Sequence, residues 1–104
     1  MFQTVDATQL KALLDAQDPP RVVDVRTAAE FARGTIAGAH HVELGTLPAN
    51  VKVFDPGAPV VLVCQSGARS GQGCAWLDQR GFQRVYNLGG GLAGWTRTGL
   101  PLTS

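Results

Sequence analysis

The stretch Val60-Val61-Leu62-Val63-Cys64-Gln65-Ser66-Gly67-Ala68-Arg69-Ser70 decides how this chain is read. Its first four residues are apolar without alternation, the pattern of a strand covered on both faces in a parallel sheet. The run stops at Cys64. A helical pattern then occupies residues 70–80, with Cys74, Trp76 and Leu77 as its apolar members. The order strand, thiol, helix sets Cys64 at the mouth of a buried strand and in front of a helix N-terminus. Inward-pointing N–H groups and the positive end of the helix dipole favour thiolate over thiol there, so the position makes a nucleophile.

Working outward, Gly81-Phe82 closes this helix in a Schellman arrangement with Phe82 packed back on Leu77. Val85 to Leu88 is a further strand, Gly89-Gly90-Gly91 a loop, and a last short helix carries Leu92, Ala93 and Trp95 before Gly99-Leu100-Pro101. Toward the N-terminus, Thr4-Val5 ends a first strand. Asp6 and Gln9 then form a capping box for a helix with Leu10, Leu13 and Leu14 on one face, running to Asp18-Pro19-Pro20. Val22 to Val25 is a second buried strand, and Thr27 with Glu30 makes another capping box for a short helix through Phe31, stopped at Gly34. Residues 36–42 lead through a loop into a short third strand, and 44–53 hold at most a helical turn around Pro48. Five strands alternating with helices predict an α/β fold, a five-stranded parallel sheet with helices on both faces, in one domain over residues 1–104.

Nine Lys and Arg against eight Asp and Glu leave a net charge of +1, too little for a broad nucleic-acid or membrane-binding field. No apolar run approaches the ~20 residues of a membrane span, and the N-terminus lacks the order of a signal peptide, so a soluble cytoplasmic protein is expected. Cys64 and Cys74 do not read as a disulfide framework. His40 and His41 are adjacent and point to opposite faces of a strand, so no metal and no cofactor is implied.

Ligands of such sheets bind beyond the carboxyl ends of the strands, where Cys64, the pair Asp24 and Arg26, and Gly89 to Gly91 should meet at one rim. A loop from Cys64 through Arg69 has room for several inward N–H groups, with Gly67 supplying the backbone freedom. Such a ring can hold an anion above the sulfur, the charge of a persulfide, or a departing sulfite, and needs no separate base. Gln65, Ser66 and Ala68 form the rest of the candidate anion-binding loop, with Gln65 and Ser66 exposed at its tip. Arg69 either fixes a substrate anion or pairs with a local carboxylate, since its planar fork serves both uses. Asp24 and Arg26 brace the rim as a pair or polarise the site, Ser70 supports the loop, and Cys74 packs in the core or serves as a resolving thiol for a Cys64 persulfide.

Four separated segments, in order, resemble the rhodanese family along the whole chain. These are Asp24-Val25-Arg26 with Glu30-Phe31, then Gly34 to Ala39, then Cys64 to Ser70, then Leu88-Gly89-Gly90 through Trp95 with Gly99 and Pro101. One departure is visible: Thr35 and Ala37 stand where many members have His and Pro. The resemblance implies the same five-stranded α/β fold, with Cys64 as the sulfur-accepting nucleophile. It also implies transfer of sulfane sulfur from a small anion such as thiosulfate, or from a persulfide, to a thiol or cyanide, with a sulfur-relay protein as a further candidate partner. Phosphatases of related fold have one residue more between Cys and Arg than the four separating Cys64 from Arg69. The tighter ring suits a sulfur attached to Cys64 better than a phosphate above it. The alternatives are a sulfur carrier or non-catalytic partner-binding module and, behind these, phosphatase or arsenate reductase chemistry.

Overall fold

The computed structural model describes residues 1–104. Five strands, β1 (Gln3–Val5), β2 (Arg21–Asp24), β3 (His40–His41), β4 (Val60–Val63) and β5 (Val85–Leu88), form one sheet in the order β1-β5-β4-β2-β3, every neighbouring pair parallel. The helices are α1 (Ala7–Leu14), α2 (Ala28–Ala32), α3 (Leu47–Asn50), α4 (Ala68–Gln79) and α5 (Gly91–Arg97). The α/β sheet expected from the sequence is therefore present, and no helix is long and apolar enough to cross a membrane.

The period of two along β4 sorts the core into two layers. Val60, Leu62 and Cys64 join Val23, Cys74, Leu77 and Phe82 on the α4 side, while Val61 and Val63 join Leu10, Val22, Leu88, Leu92 and Trp95 on the α1 and α5 side. All four β4 residues are buried, which is why the strand shows no polar alternation. Cys64, one step beyond the strand, keeps the phase of Val60 and Leu62. Its side chain consequently lies on the face covered by α4.

Both predicted capping boxes form, Asp6 with Gln9 and Thr27 with Glu30. Phe82 N–H bonds the Leu77 carbonyl at 3.2 Å, the C-terminal closure predicted for α4. Several boundaries shift. α1 ends at Leu14, before Asp18-Pro19-Pro20, and its C-terminal Asp15 pairs with Lys11 at 2.6 Å. β2 starts and ends one residue earlier than read. The consequential difference is at α4, which begins at Ala68 rather than Ser70, so Ala68 and Arg69 belong to the first helical turn and not to a loop. Gly67 is its N-cap in a left-handed conformation, φ 99°, with no side-chain cap of its own.

Candidate active site

The first turn of a helix carries N–H groups without intrahelical partners, and in α4 the Cys64 sulfur meets them. Sγ accepts the Gly67 N–H at 3.1 Å, the Ser70 N–H at 3.4 Å and the Ser70 hydroxyl at 3.4 Å. It thus occupies the role a Ser or Asp side chain plays at an ordinary N-cap. Burial pushes the thiol up, but donation by the Ser70 hydroxyl and by the N–H groups of Ser70, Gly67 and Ser66 outweighs it, and the Cys64 thiol lies below its ordinary value.

The N–H groups face the sulfur because the carbonyls of the turn are engaged elsewhere. Leu92 and Ala93, at the start of α5, donate to the carbonyls of Cys64 and Gln65 at 2.9 and 3.1 Å. The Gly67 carbonyl accepts from Asn87 Nδ2 at 3.2 Å and from the Gly71 N–H at 3.1 Å. This close approach of α5 requires glycine at its first residue. Gly91 has φ 60°, and a Cβ there would overlap the Gln65 carbonyl.

Cys64 does not stand open at the mouth of the strand as the sequence suggested; it is 0% exposed, roofed by its own turn. Gln65, Ser66 and Ala68 are exposed above it, Gly67 and Arg69 are half-buried, and Ser70 is buried. Within the loop read as an anion site, the Gly67 N–H donates to the sulfur, whereas the Ala68 N–H is taken by Ser66 Oγ at 3.3 Å. Arg69 pairs with a carboxylate: Nη1 and Nη2 donate to Glu30 Oε1 and Oε2 at 2.7 and 2.9 Å. The guanidinium holds the Glu30 carboxyl at about 2, and the carboxylate in turn raises Arg69 above its ordinary value.

Asp24 and Arg26 are brought together as a buried pair, and the hydrogen bonds to Sγ come from Gly67 and Ser70, not from either of them. Asp24 accepts Arg26 Nη2 at 2.8 Å, Arg26 Nε at 3.0 and 3.1 Å and the Arg26 N–H at 3.0 Å, while Arg26 Nη2 also donates to the Gly34 carbonyl at 2.7 Å. A buried pair so fully satisfied fixes the end of β2. Cys74 is buried, its thiol donates to the Tyr86 carbonyl at 3.4 Å, and burial pushes it up to about 12, which makes it an unreactive core residue. His41 stacks on Phe31 with ring centroids 4.6 Å apart, and its Nε2 lies 2.7 Å from the Arg26 carbonyl, an acceptor, so that nitrogen carries the hydrogen.

The model of the Rhodanese-like domain matches residues 6–98. The chain belongs to the rhodanese-like domain family. It is 38% identical over 104 residues to a protein of Allochromatium vinosum named Sulfurtransferase, a match covering 100% of this chain and 97% of that one. It is 34% identical over 94 residues to the Thiosulfate sulfurtransferase GlpE of Pseudomonas aeruginosa, covering 90% of this chain and 84% of that one. The crystal structure of a rhodanese-like domain protein from Staphylococcus aureus superposes with a TM-score of 0.87 at 31% identity, over 99% of this chain and 100% of that one. Its named relatives place this rhodanese-like domain in a family of sulfurtransferases.

Thr35, the visible departure within the rhodanese segment Gly34 to Ala39, has a structural use here. Its hydroxyl donates to Asp24 Oδ2 at 2.8 Å, and its backbone pairs with Thr103. Two residues of this rhodanese-like site were not legible as such. Asn87 Oδ1 accepts the Ser70 hydroxyl at 2.6 Å, and the only advance sign was a polar side chain inside the apolar strand Val85-Tyr86-Asn87-Leu88. Glu30 is legible as a capping residue and as part of the first rhodanese-like segment, and neither reading hints at its reach to Arg69.

Proposed function

We propose that this domain transfers sulfane sulfur from thiosulfate or a persulfide to a thiol or cyanide, carrying the sulfur on Cys64. In the first step the Cys64 thiolate attacks the outer sulfur of thiosulfate. A sulfur–sulfur bond to Cys64 forms, the bond to the central sulfur breaks with its electron pair, and sulfite leaves. With a persulfide donor the leaving group is a thiolate instead. In the second step an acceptor thiolate, its proton lost to solvent, attacks the outer sulfur of the Cys64 persulfide, takes that sulfur as its own persulfide and regenerates the Cys64 thiolate. The two half-reactions give ping-pong kinetics.

The observation that carries this reading is the convergence of the Gly67 N–H, the Ser70 N–H and the Ser70 hydroxyl on Sγ. Donors fixed before the reaction favour the ionised nucleophile and stabilise the anion that replaces it, without a base. Thiosulfate as one donor is supported by the name of the Pseudomonas aeruginosa relative. Because Sγ is covered, transfer requires the exposed tip at Gln65 and Ser66 to admit the donor.

A thiosulfate-to-cyanide assay tests it. The native chain forms thiocyanate with double-reciprocal plots that stay parallel as the second substrate is varied, and Cys64→Ser forms none above the uncatalysed rate. Thiocyanate formation by Cys64→Ser refutes the assignment.

A further inference from the structure

In the order β1-β5-β4-β2-β3, β4 sends the chain toward β5, whereas β2 sends it toward β3 in the opposite direction. The rim between β2 and β4 is therefore the switch point at which an open α/β sheet presents its crevice. Two short segments flank it, α2 after β2 and the first turn of α4 after β4, and one interaction joins them. Arg69, the only cation in residues 64–70, reaches across and places two N–H groups on the two oxygens of Glu30, at 2.7 and 2.9 Å. The guanidinium side chain is 38% exposed and the carboxylate 25%, so the pair stands at the surface of the rim. Glu30 is itself anchored, since Oε1 also accepts the Thr27 N–H at 3.2 Å and the Thr27 hydroxyl at 3.1 Å at the start of α2.

A planar fork engaged with both oxygens of a fixed carboxylate has presented its paired hydrogens to that carboxylate. We propose that Glu30 is a specificity-determining residue: by engaging Arg69 across the β2–β4 rim it withholds the cation of the first turn of α4 from anionic sulfur donors. The site thereby disfavours a dianion such as thiosulfate relative to an organic persulfide with little charge near its reacting sulfur. This rests on the sulfur-transfer reading. A thiosulfate ion must displace a tethered carboxylate to reach Arg69 and is repelled by the carboxylate's charge meanwhile. An alkyl persulfide needs neither the cation nor its release. With its carboxyl held at about 2, Glu30 stays charged wherever the domain is folded and at work, so only a competing anion or removal of the charge frees Arg69.

Glu30→Gln is the informative variant, because its amide oxygen still accepts the Thr27 N–H in the capping box while the charge is gone. Cys64 is alkylated with iodoacetate, an anion, and with iodoacetamide, its neutral counterpart. In both reactions the thiolate forms an S–C bond and iodide leaves, so the ratio of the two rates cancels the thiolate fraction. The iodoacetate-to-iodoacetamide ratio should rise about three- to tenfold in Glu30→Gln, the size expected of one freed charge several ångströms from the reacting anion at a half-exposed rim. Replacing Arg69 by Gln in the same background should remove the rise. In parallel, kcat/KM for thiosulfate over that for an alkyl persulfide should rise in Glu30→Gln by a similar factor. An unchanged alkylation ratio overturns the proposal whatever the transfer assay shows. No alkylation by either reagent overturns it as well, because a rim closed to both leaves Glu30 nothing to select. A raised alkylation ratio with no sulfur transfer from any donor sustains the role of Glu30 in anion exclusion and refutes the sulfur-transfer reading instead. If Glu30→Gln does not fold, Glu30→Asp, one methylene too short to keep both hydrogen bonds, carries the same expectation with a smaller rise.

Discussion

Replacing Ser70 by alanine isolates the one side-chain donor to the sulfur. The Ser70 hydroxyl has a single hydrogen and two acceptors, Asn87 Oδ1 at 2.6 Å and Cys64 Sγ at 3.4 Å. With the thiol protonated, that hydrogen belongs to Asn87. When Cys64 ionises, the charge on sulfur competes for it. A hydrogen bond to a charged group contributes about 1.5–3 kcal/mol. Shared with a shorter competitor, it contributes roughly half of that to the thiolate, about 0.8–1.5 kcal/mol, or up to about one pKa unit. The Gly67 and Ser70 N–H groups remain in Ser70→Ala, so the depression of the thiol is reduced and not abolished. The assay is the pH dependence of Cys64 alkylation by iodoacetamide, in which Cys74 stays silent because it is buried and held at about 12. The midpoint should move up by up to about one unit, slowing alkylation below the midpoint by up to about tenfold while the high-pH plateau is unchanged. An unmoved or lowered midpoint refutes the hydroxyl's part, and a fall in the plateau alone shows that Ser70 acts only by shaping the turn.

Further outcomes follow from the same contacts. Asp24→Asn leaves Arg26 as a cation without its carboxylate at 4% exposure and should destabilise the fold by about 3–5 kcal/mol in urea unfolding, while Asp24→Leu with Arg26→Met should recover only part of that loss, because the Thr35 hydroxyl and the Arg26 N–H lose their acceptor. Stability should also depend on pH through the two thiols with opposite signs. Cys64 is depressed in the folded chain, so between its folded value and the ordinary thiol value the unfolded chain binds more protons and stability rises with pH; that rise disappears in Cys64→Ser. Cys74 is raised, so its contribution is complete below the ordinary thiol value and is lost as pH climbs toward about 12, a fall that Cys74→Ala removes. Thermal melts of the three proteins across this range check both signs.

Much of the fold was legible because the decisive residues carry local, periodic signals. Val60 to Val63 declares a doubly covered strand by composition, and counting by two from Val60 through Leu62 puts Cys64 on the α4 face. Asp6 with Gln9 and Thr27 with Glu30 announce their helices through spacing alone. The start of α4 was misread because its N-cap carries no side-chain acceptor. Gly67 is there for its positive φ, and the missing acceptor is the sulfur three residues earlier. The covered state of Cys64 was missed for a related reason, since a turn that begins helical two residues early folds down over the strand end. The contacts that were least legible are tertiary. Arg69 meets Glu30 from 39 residues away, and Ser70 meets Asn87 from 17. No pattern along the chain encodes either distance, and in Glu30 the visible local role concealed the remote one.

Mass spectrometry of the intact chain after exposure to thiosulfate or to an alkyl persulfide bears most directly on the central claim, that an ionised Cys64 in the donor cradle accepts sulfur. The account predicts one added sulfur atom, located to the peptide containing Cys64, removed by cyanide or excess thiol and absent in Cys64→Ser. A chain that keeps its starting mass with both donors, or that gains sulfur on Cys74 instead, contradicts it.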